Sequence, residues 1–467
     1  MGNIINMSRR KKITAESVKR TEKKSDKLPG RLLGMKDWSA TDGSYFNALI
    51  DKAREFSKIY GFSPVVTPIM ESFDLYKKSS RRGNDRDFYF VDGDKSDKAI
   101  LRPELTQGAL RTYLENNQGD GTCPTRLSSL GSIFRHEKPQ NGHYRESNQF
   151  NLEILEDSKP LTEALLISLA VNFFKELGIN VQVQINSLGT ADCRREYCSR
   201  LLSFYKERGR RSKLCGQCKN GLGKHCLSLL DCQEEACLQV RSEAPQIADY
   251  LSIESRERLA KTLEFLDELN INYNFSPYLV RGLNYYNDTV FEFWPVNEDG
   301  TLLGKLALGG GGRYDFLAES FGGQPTAAIG LAIGLERTLA RVRDKQALIQ
   351  PKEEDIIFIA QLGDQAKLRS VELFADLRQA GFNVRQSFTS DSLKLQLEEA
   401  VTMRARTGLI LGRKEIMDGT ILMRDMDSGT QETVVYKKIK ERLARKDKII
   451  EKKITINRKE GGLYGGF

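Results

Sequence analysis

Four consecutive glycines at positions 309–312, in LGGGGRYD, restrict the folding of this chain more than any other run. Lacking a Cβ, they allow the backbone to come very close to a ligand. The run lacks the GxGxxG spacing of dinucleotide-binding folds, and no GK[ST] follows as in a Walker loop, so the familiar glycine-rich folds are disfavoured. After Phe316 and a further glycine-containing loop comes AAIGLAIGLERTL, residues 327–339, whose helical tail carries Arg337. Alone, Arg337 would be half of a surface ion pair, worth little.

The remaining pattern is that of an α+β body. Phe46, Leu49, Ile50, Ala53, Phe56 and Tyr60 recur at helical spacing before Gly61. Residues 65–68 are extended, with Pro68 marking a strand end or edge. Residues 88–91 and 99–102 predict a hairpin across the turn-rich DGDKSD. Residues 161–177 predict a helix capped by Thr162, and the alternation over 181–185 predicts a half-buried strand. Strand signals return at 279–280, 289–294 and 306–308. Residues 190–265 differ in character, cysteine-rich and then helical, and read as an inserted module.

The expected domains are a basic extension over 1–29, a body over 30–340 containing the insertion, and a linker over 341–354. Strands and helices then alternate over 355–436 in a small α/β domain with largely parallel pairing, before a basic tail at 437–467. Residues 1–29 carry nine lysines and arginines against three acids, and the tail eleven against four, while the whole chain is only +9. The body is therefore slightly acidic. Basic arms on such a body suit salt-sensitive attraction to RNA, or serve only as solvated tails. No apolar run approaches the roughly 20 residues a membrane span needs, and the first 29 residues lack the apolar region of a secretory signal. The expected location is cytoplasmic.

Seven of the eight cysteines fall between Cys193 and Cys237. In a reducing compartment such a cluster points to thiolate ligation rather than disulfides. Cys215, Cys218, Cys232 and Cys237 suit one tetrahedral zinc, with His225 or Cys226 as substitutes. The alternative is a set of free thiols packed in a loop-rich module.

Three further stretches carry chemistry. In LRPELTQG, from residue 101, Arg102, Glu104 and Thr106 alternate and would share one face of an extended strand. Residues 134–153, FRHEKPQNGHYRESNQFNLE, form a polar hairpin with Arg135 before its turn and Arg145, Gln149 and Glu153 after it. Residues 279–292, LVRGLNYYNDTVFE, set Arg281 in an apolar run beside Tyr285 and Tyr286. A guanidinium there needs either an anionic ligand, which it can grip with two hydrogen bonds, or a buried acid.

Taken together, the 104–106 segment, Arg135, Gln149 with Glu153, Arg281 with its tyrosines, GGGGRYD and GLER around Arg337 occur in the order found in histidyl-tRNA synthetases. The resemblance spans residues 30 to about 440. It implies the class II synthetase fold, an antiparallel sheet flanked by helices with an inserted module, plus a C-terminal α/β anticodon-binding domain. It also implies a homodimer formed through the first class II motif, which ends at Pro68. Two departures stand out: His143 occupies a place where relatives often carry arginine, and Ser147 and Asn148 stand where larger residues are common.

The implied reaction joins histidine to ATP, giving histidyl-adenylate and pyrophosphate, and then moves histidine to the 3′ end of tRNA(His). The resemblance assigns Arg281 and Arg135 to the carboxylate and α-phosphate. Arg337 is assigned to the γ-phosphate, with His143 also on ATP and Mg2+ on the phosphate oxygens. Histidine is assigned to Glu104, Leu105, Thr106, Gln149, Glu153, Tyr285, Tyr286 and Tyr314. Gln140 and Arg145 are assigned to the tRNA acceptor end. The competing reading is a synthetase-like regulatory subunit of ATP phosphoribosyltransferase. Such relatives typically lack the C-terminal domain, whereas this chain has both Arg281 and residues 355–436.

Overall fold

The computed structural model describes residues 30–77, 87–91, 98–116, 123–136, 142–223, 226–344, 355–387 and 392–444. Contacts divide the chain into a unit ending at Pro351 and another beginning at Lys352. Gln140, His225 and most of both basic tails lie outside the described residues.

The first unit is built on an eight-stranded sheet. Its order is Ser63–Pro64, Thr125–Phe134, Glu146–Leu155, Ala328–Gly334, Gly309–Arg313, Asn287–Pro295, Val181–Ser187 and Tyr273–Phe275. The six inner strands pair antiparallel, and a parallel strand closes each edge. Alternation decides which residues face which side. Phe150, Leu152 and Ile154 enter the main core with Phe291, Phe293, Ile329, Leu331 and Ile333, beneath the helices Ala40–Ile59, Pro160–Glu176 and Ile253–Glu268. The opposite face of the same strands carries Gln149, Asn151, Glu153 and Glu292.

Helix Ala40–Ile59 shows how local sequence sets these elements. Phe46, Leu49, Ala53 and Phe56 form its buried stripe, Ser39 Oγ accepts the Asp42 amide at 3.2 Å, and Gly61 turns the chain away at φ 72°. Ser39→Ala should cost about 1 kcal/mol of stability in urea unfolding, the usual value of a lost N-cap. An unchanged midpoint would show that the cap contributes nothing.

The structure revises several expectations. The strand before the first long one is Ser63–Pro64 and not residues 65–68. Pro160 starts the second helix, while the Thr162 hydroxyl donates to Asp157 and caps nothing. Residues 279–280 lie in a loop. The strand expected near 306–308 is Gly309–Arg313, so the four glycines sit in mid-sheet. There a Cβ on Gly311 would meet the Gly330 carbonyl at 2.0 Å, and one on Gly309 the Ala332 carbonyl at 2.6 Å. The close approach is therefore to neighbouring strands.

Within the insertion, Tyr197, Leu201, Tyr205, Leu229, Leu230 and Val240 form a second core that also takes in Val290 and Tyr286. The last helix of that stretch, Ile253–Glu268, packs its Leu259 and Leu266 into the main core instead. A buried ionic knot ties these layers together. Arg313, fully buried, donates to Glu163 at 2.8 Å, and Glu163 also receives Arg258 and Thr262 at 3.0 Å each.

The second unit holds a five-stranded sheet, ordered Val384–Gln386, Ile357–Gln361, Thr407–Leu411, Thr420–Asp425 and Gln431–Val435. The first three strands run parallel and the last two antiparallel. Helices Asp364–Gln379 and Leu393–Thr402 make the crossovers.

Candidate active site

A cavity of about 180 Å³ opens on the polar face of the large sheet. Its floor follows from strand pairing: Gly330 lies opposite Glu153, Ala332 opposite Asn151, and Gly334 opposite Gln149. Small residues on one strand leave room for polar ones on the next. A Cβ on Gly330 would fall 1.5 Å from Glu153 Oε2, so only glycine fits the observed carboxylate there.

The segment around Glu104 is not the extended strand expected from its alternation. The strand ends at Leu101 and the helix Thr106–Glu115 begins, with Glu104 reaching back to accept the Thr106 and Gln107 amides at 2.6 and 2.9 Å. Orphan amides at a helix start draw a carboxylate into this position. Arg102 turns away and spends its donors on Ser132 and Thr67 oxygens. Leu105 is 1% exposed and faces the core.

Glu153 accepts from Thr106 Oγ1 and Tyr314 Oη at 2.7 Å each, and from Asn151 Nδ2 at 3.3 Å. Burial pushes its carboxyl up to about 8, with Glu104 adding repulsion, although its hydrogen bonds pull the other way. Burial likewise raises Glu104. Tyr285 packs 4.7 Å from Tyr286 and 5.7 Å from Tyr314, ring centre to ring centre. Burial keeps all three phenols protonated.

On the other side, Arg281 forms an ion pair with Glu292, which also accepts from Trp294 Nε1 at 3.1 Å. Burial works against the guanidinium's charge, but Glu292 outweighs it and the pKa rises. Gly310 leaves the necessary space, since a Cβ there would meet an Arg281 nitrogen at 2.7 Å. The reading of Arg281 as the partner of a buried acid holds, and the guanidinium also lines the cavity. Its Nε remains without a hydrogen-bond partner, as does the buried Gln149 Oε1.

The third group surrounds the cavity's outer end. Arg135 Nε donates to the Pro103 carbonyl at 2.8 Å, and Arg337 to the Gly142 and Ala307 carbonyls at 2.9 and 3.0 Å. His143 and Glu336 line the same end, the latter holding Asn148 through three bonds of 2.9 Å.

The structure therefore gathers Glu104, Thr106, Arg135, His143, Gln149, Arg281, Tyr285, Tyr286 and Arg337 around one cavity. Glu153 and Tyr314 sit just behind that wall. Arg145 is outside it, bonded to the Leu33 and Gly34 carbonyls, and none of Cys215, Cys218, Cys232 and Cys237 reaches it. Sequence reasoning missed Glu292, Asn151 and Glu336. The signal for Glu292 was its position as the lone acid in the apolar strand TVFEFW.

The arrangement pairs cations with acceptors around one cavity. It is suited to a small zwitterion at one end and a polyanion at the other. Comparison with known proteins agrees. A family model described as histidyl-tRNA synthetase matches residues 34–338, and one described as anticodon binding domain matches 355–446. A histidine–tRNA ligase of Dehalococcoides mccartyi is 36% identical over 405 residues, 86% of this chain and 96% of the relative. One of Thermosipho melanesiensis is 34% identical over 406 residues, again 86% of this chain and 95% of the relative. The crystal structure of apo S. aureus histidyl-tRNA synthetase superposes with a TM-score of 0.72 at 27% identity, covering 89% of this chain and 99% of that one. A model spanning most of the chain and relatives matched almost end to end leave one assignment: this chain belongs to the histidyl-tRNA synthetase family.

Proposed function

We propose that this chain activates histidine with ATP, forming histidyl-adenylate and pyrophosphate, and transfers the histidine to the 3′ end of tRNA(His). The observation that carries the reading is one cavity lined by both a guanidinium, Arg281, and acceptors, Gln149 and Glu104. An α-amino acid needs that pairing at its two ends.

The carboxylate of histidine must attack the α-phosphate in line, so two anions have to be brought together. Arg281 holds the carboxylate, and Arg135, whose Nε is already fixed by Pro103, turns its remaining donors to the α-phosphate. Arg337 and His143 take the outer phosphates of ATP, which enters as its magnesium complex. Both arginines are pinned by carbonyls, so little reorganisation accompanies the charge that develops as pyrophosphate leaves. Glu104, Glu153, Gln149 and Thr106 receive the α-ammonium, with Leu105 packed behind them. Tyr286 and Tyr314 read the imidazole, Tyr314 while giving its own proton to Glu153, and Tyr285 packs against both. A site built for those hydrogen bonds rejects side chains that lack them by large factors.

Arg145 and Gln140 are assigned to the tRNA acceptor end, residues 355–436 to the anticodon, and the tails to a nonspecific RNA contribution. Dimerisation through the first motif is supported by Ile59, Val66, Ile69 and Met70, which are half to nine-tenths exposed there. No helix among the described residues is long and apolar enough to cross a membrane, in keeping with a cytoplasmic site of action. A Bacillus halodurans protein titled as an ATP phosphoribosyltransferase regulatory subunit/histidyl-tRNA synthetase shares the fold at 18% identity. The relatives matched over 86% of this chain are histidine–tRNA ligases, which favours tRNA charging over that regulatory role.

ATP–pyrophosphate exchange assayed with each proteinogenic amino acid should depend on histidine alone. Exchange indifferent to histidine would overturn the reading.

A further inference from the structure

The insertion carries a feature the aminoacylation site does not use. Cys215, Cys218, Cys232 and Cys237 bring four Sγ atoms within 4.8 Å of one another. Cys215 Sγ and Cys232 Sγ lie 3.9 Å apart. A disulfide would need about 2.05 Å, so these thiols are not joined. Four sulfurs around one ion at zinc–sulfur distances of about 2.3 Å stand about 3.8 Å from each other. A cluster of several irons would hold its thiolates farther apart.

The surroundings suit thiolates. The Cys215 amide donates to Cys237 Sγ at 3.2 Å, and the Cys218 amide to Cys215 Sγ at 3.4 Å. Hydrogen bonds of this kind orient and stabilise ligating sulfurs. In the sequence, Arg211, Lys213 and Lys219 flank the first two cysteines, while Asp231, Glu234 and Glu235 flank the other two. Cys226, a substitute ligand on spacing grounds, instead exchanges a hydrogen bond with Cys198, and Cys193 accepts the Ser252 amide at 3.2 Å.

We propose that Cys215, Cys218, Cys232 and Cys237 bind one structural zinc ion that fastens the insertion. The module needs such a fastening. Its helices Arg208–Lys213, Gly216–Gly221 and Glu235–Arg241 are six or seven residues long, too short to persist without tertiary support. From the last of them, Arg241 donates to the Leu230 carbonyl and stacks 5.7 Å from the Tyr278 ring. Tyr278 in turn donates to the Ala244 carbonyl at 3.0 Å and begins the loop that leads to Arg281. Soft thiolates in a closed tetrahedron select zinc over harder divalent ions.

Full-length protein purified without chelator should contain one zinc per chain, and cobalt substitution should give thiolate charge-transfer and tetrahedral d–d bands. Cys232→Ser should lose at least tenfold of the retained zinc on dialysis, while Cys226→Ser keeps it. Should Cys232→Ser fail to fold, mercurial titration of the unaltered protein reads the same point, with zinc released as four thiols react. Zinc well below one per chain without cobalt–thiolate bands would overturn the proposal. So would loss of metal from Cys226→Ser as complete as from Cys232→Ser, or zinc release that does not follow thiol modification.

Discussion

Arg281→Ala should lower histidine-dependent ATP–pyrophosphate exchange by about 10²–10³-fold in kcat/KM, the usual cost of removing one preorganised donor aimed at developing charge. The loss should appear in kcat as well as KM, because the two anions repel most strongly as they approach in the transition state. Thermal stability should change far less. The residual acid, Glu292, keeps its bond from Trp294 Nε1 and lines a cavity where water can replace the guanidinium. Arg281→Lys should recover little, since an ammonium cannot hold Glu292 and a carboxylate in one planar fork. Exchange and melting curves on the same preparations decide the matter. A rate within a factor of two of the parent, or a collapse in melting temperature that accounts for the lost rate, would remove Arg281 from the chemistry.

Glu292 also shows where sequence reading stops. Arg281 was legible as an expensive charge in an apolar run, but its partner lies eleven residues away across a loop that leaves no periodic trace. Alternation carried the reading further where strands are long. Gln149 and Glu153 fall on one face of Glu146–Leu155 because side chains alternate, and the intervening phenylalanine and leucine fill the core. Alternation failed at Arg102 and Glu104, where a helix start claims the carboxylate. The glycine run was legible as a place of close approach, but what approaches is set by long-range pairing with residues 290–293 and 330–333. The room Gly330 leaves for Glu153 and the contact between Arg313 and Glu163 join positions far apart in sequence. Similarly, the C-terminal strand–helix alternation marked the parallel strands, whereas of the antiparallel pair that follows, Thr420–Asp425 is only partly buried and Gln431–Val435 largely exposed.

Glu153→Gln should separate function from stability in opposite directions. Burial, with Glu104 adding repulsion, pushes the Glu153 pKa in the folded chain up to about 8, against an unfolded value of about 4.3. Below the unfolded value both states hold the proton and the group has no effect. Between about 4.3 and 8 the unfolded chain gives up its proton while the folded chain keeps it, so stability falls as pH rises through this window and levels off above it. Glutamine does not titrate and is free of that cost. The variant's melting temperature should therefore gain on the parent's from pH 5 to pH 8. Binding should move the other way. Losing one charge-assisted hydrogen bond to the α-ammonium costs about 1.5–3 kcal/mol, roughly 10- to 150-fold in histidine KM. In the parent, ionisation of Glu153 should also lower histidine KM between pH 7 and 8.5, a trend the variant should lack. Melting curves and histidine KM across that range read both effects. A glutamine variant that is less stable at pH 8 and binds histidine as the parent does would mean that Glu153 serves the fold and not the substrate.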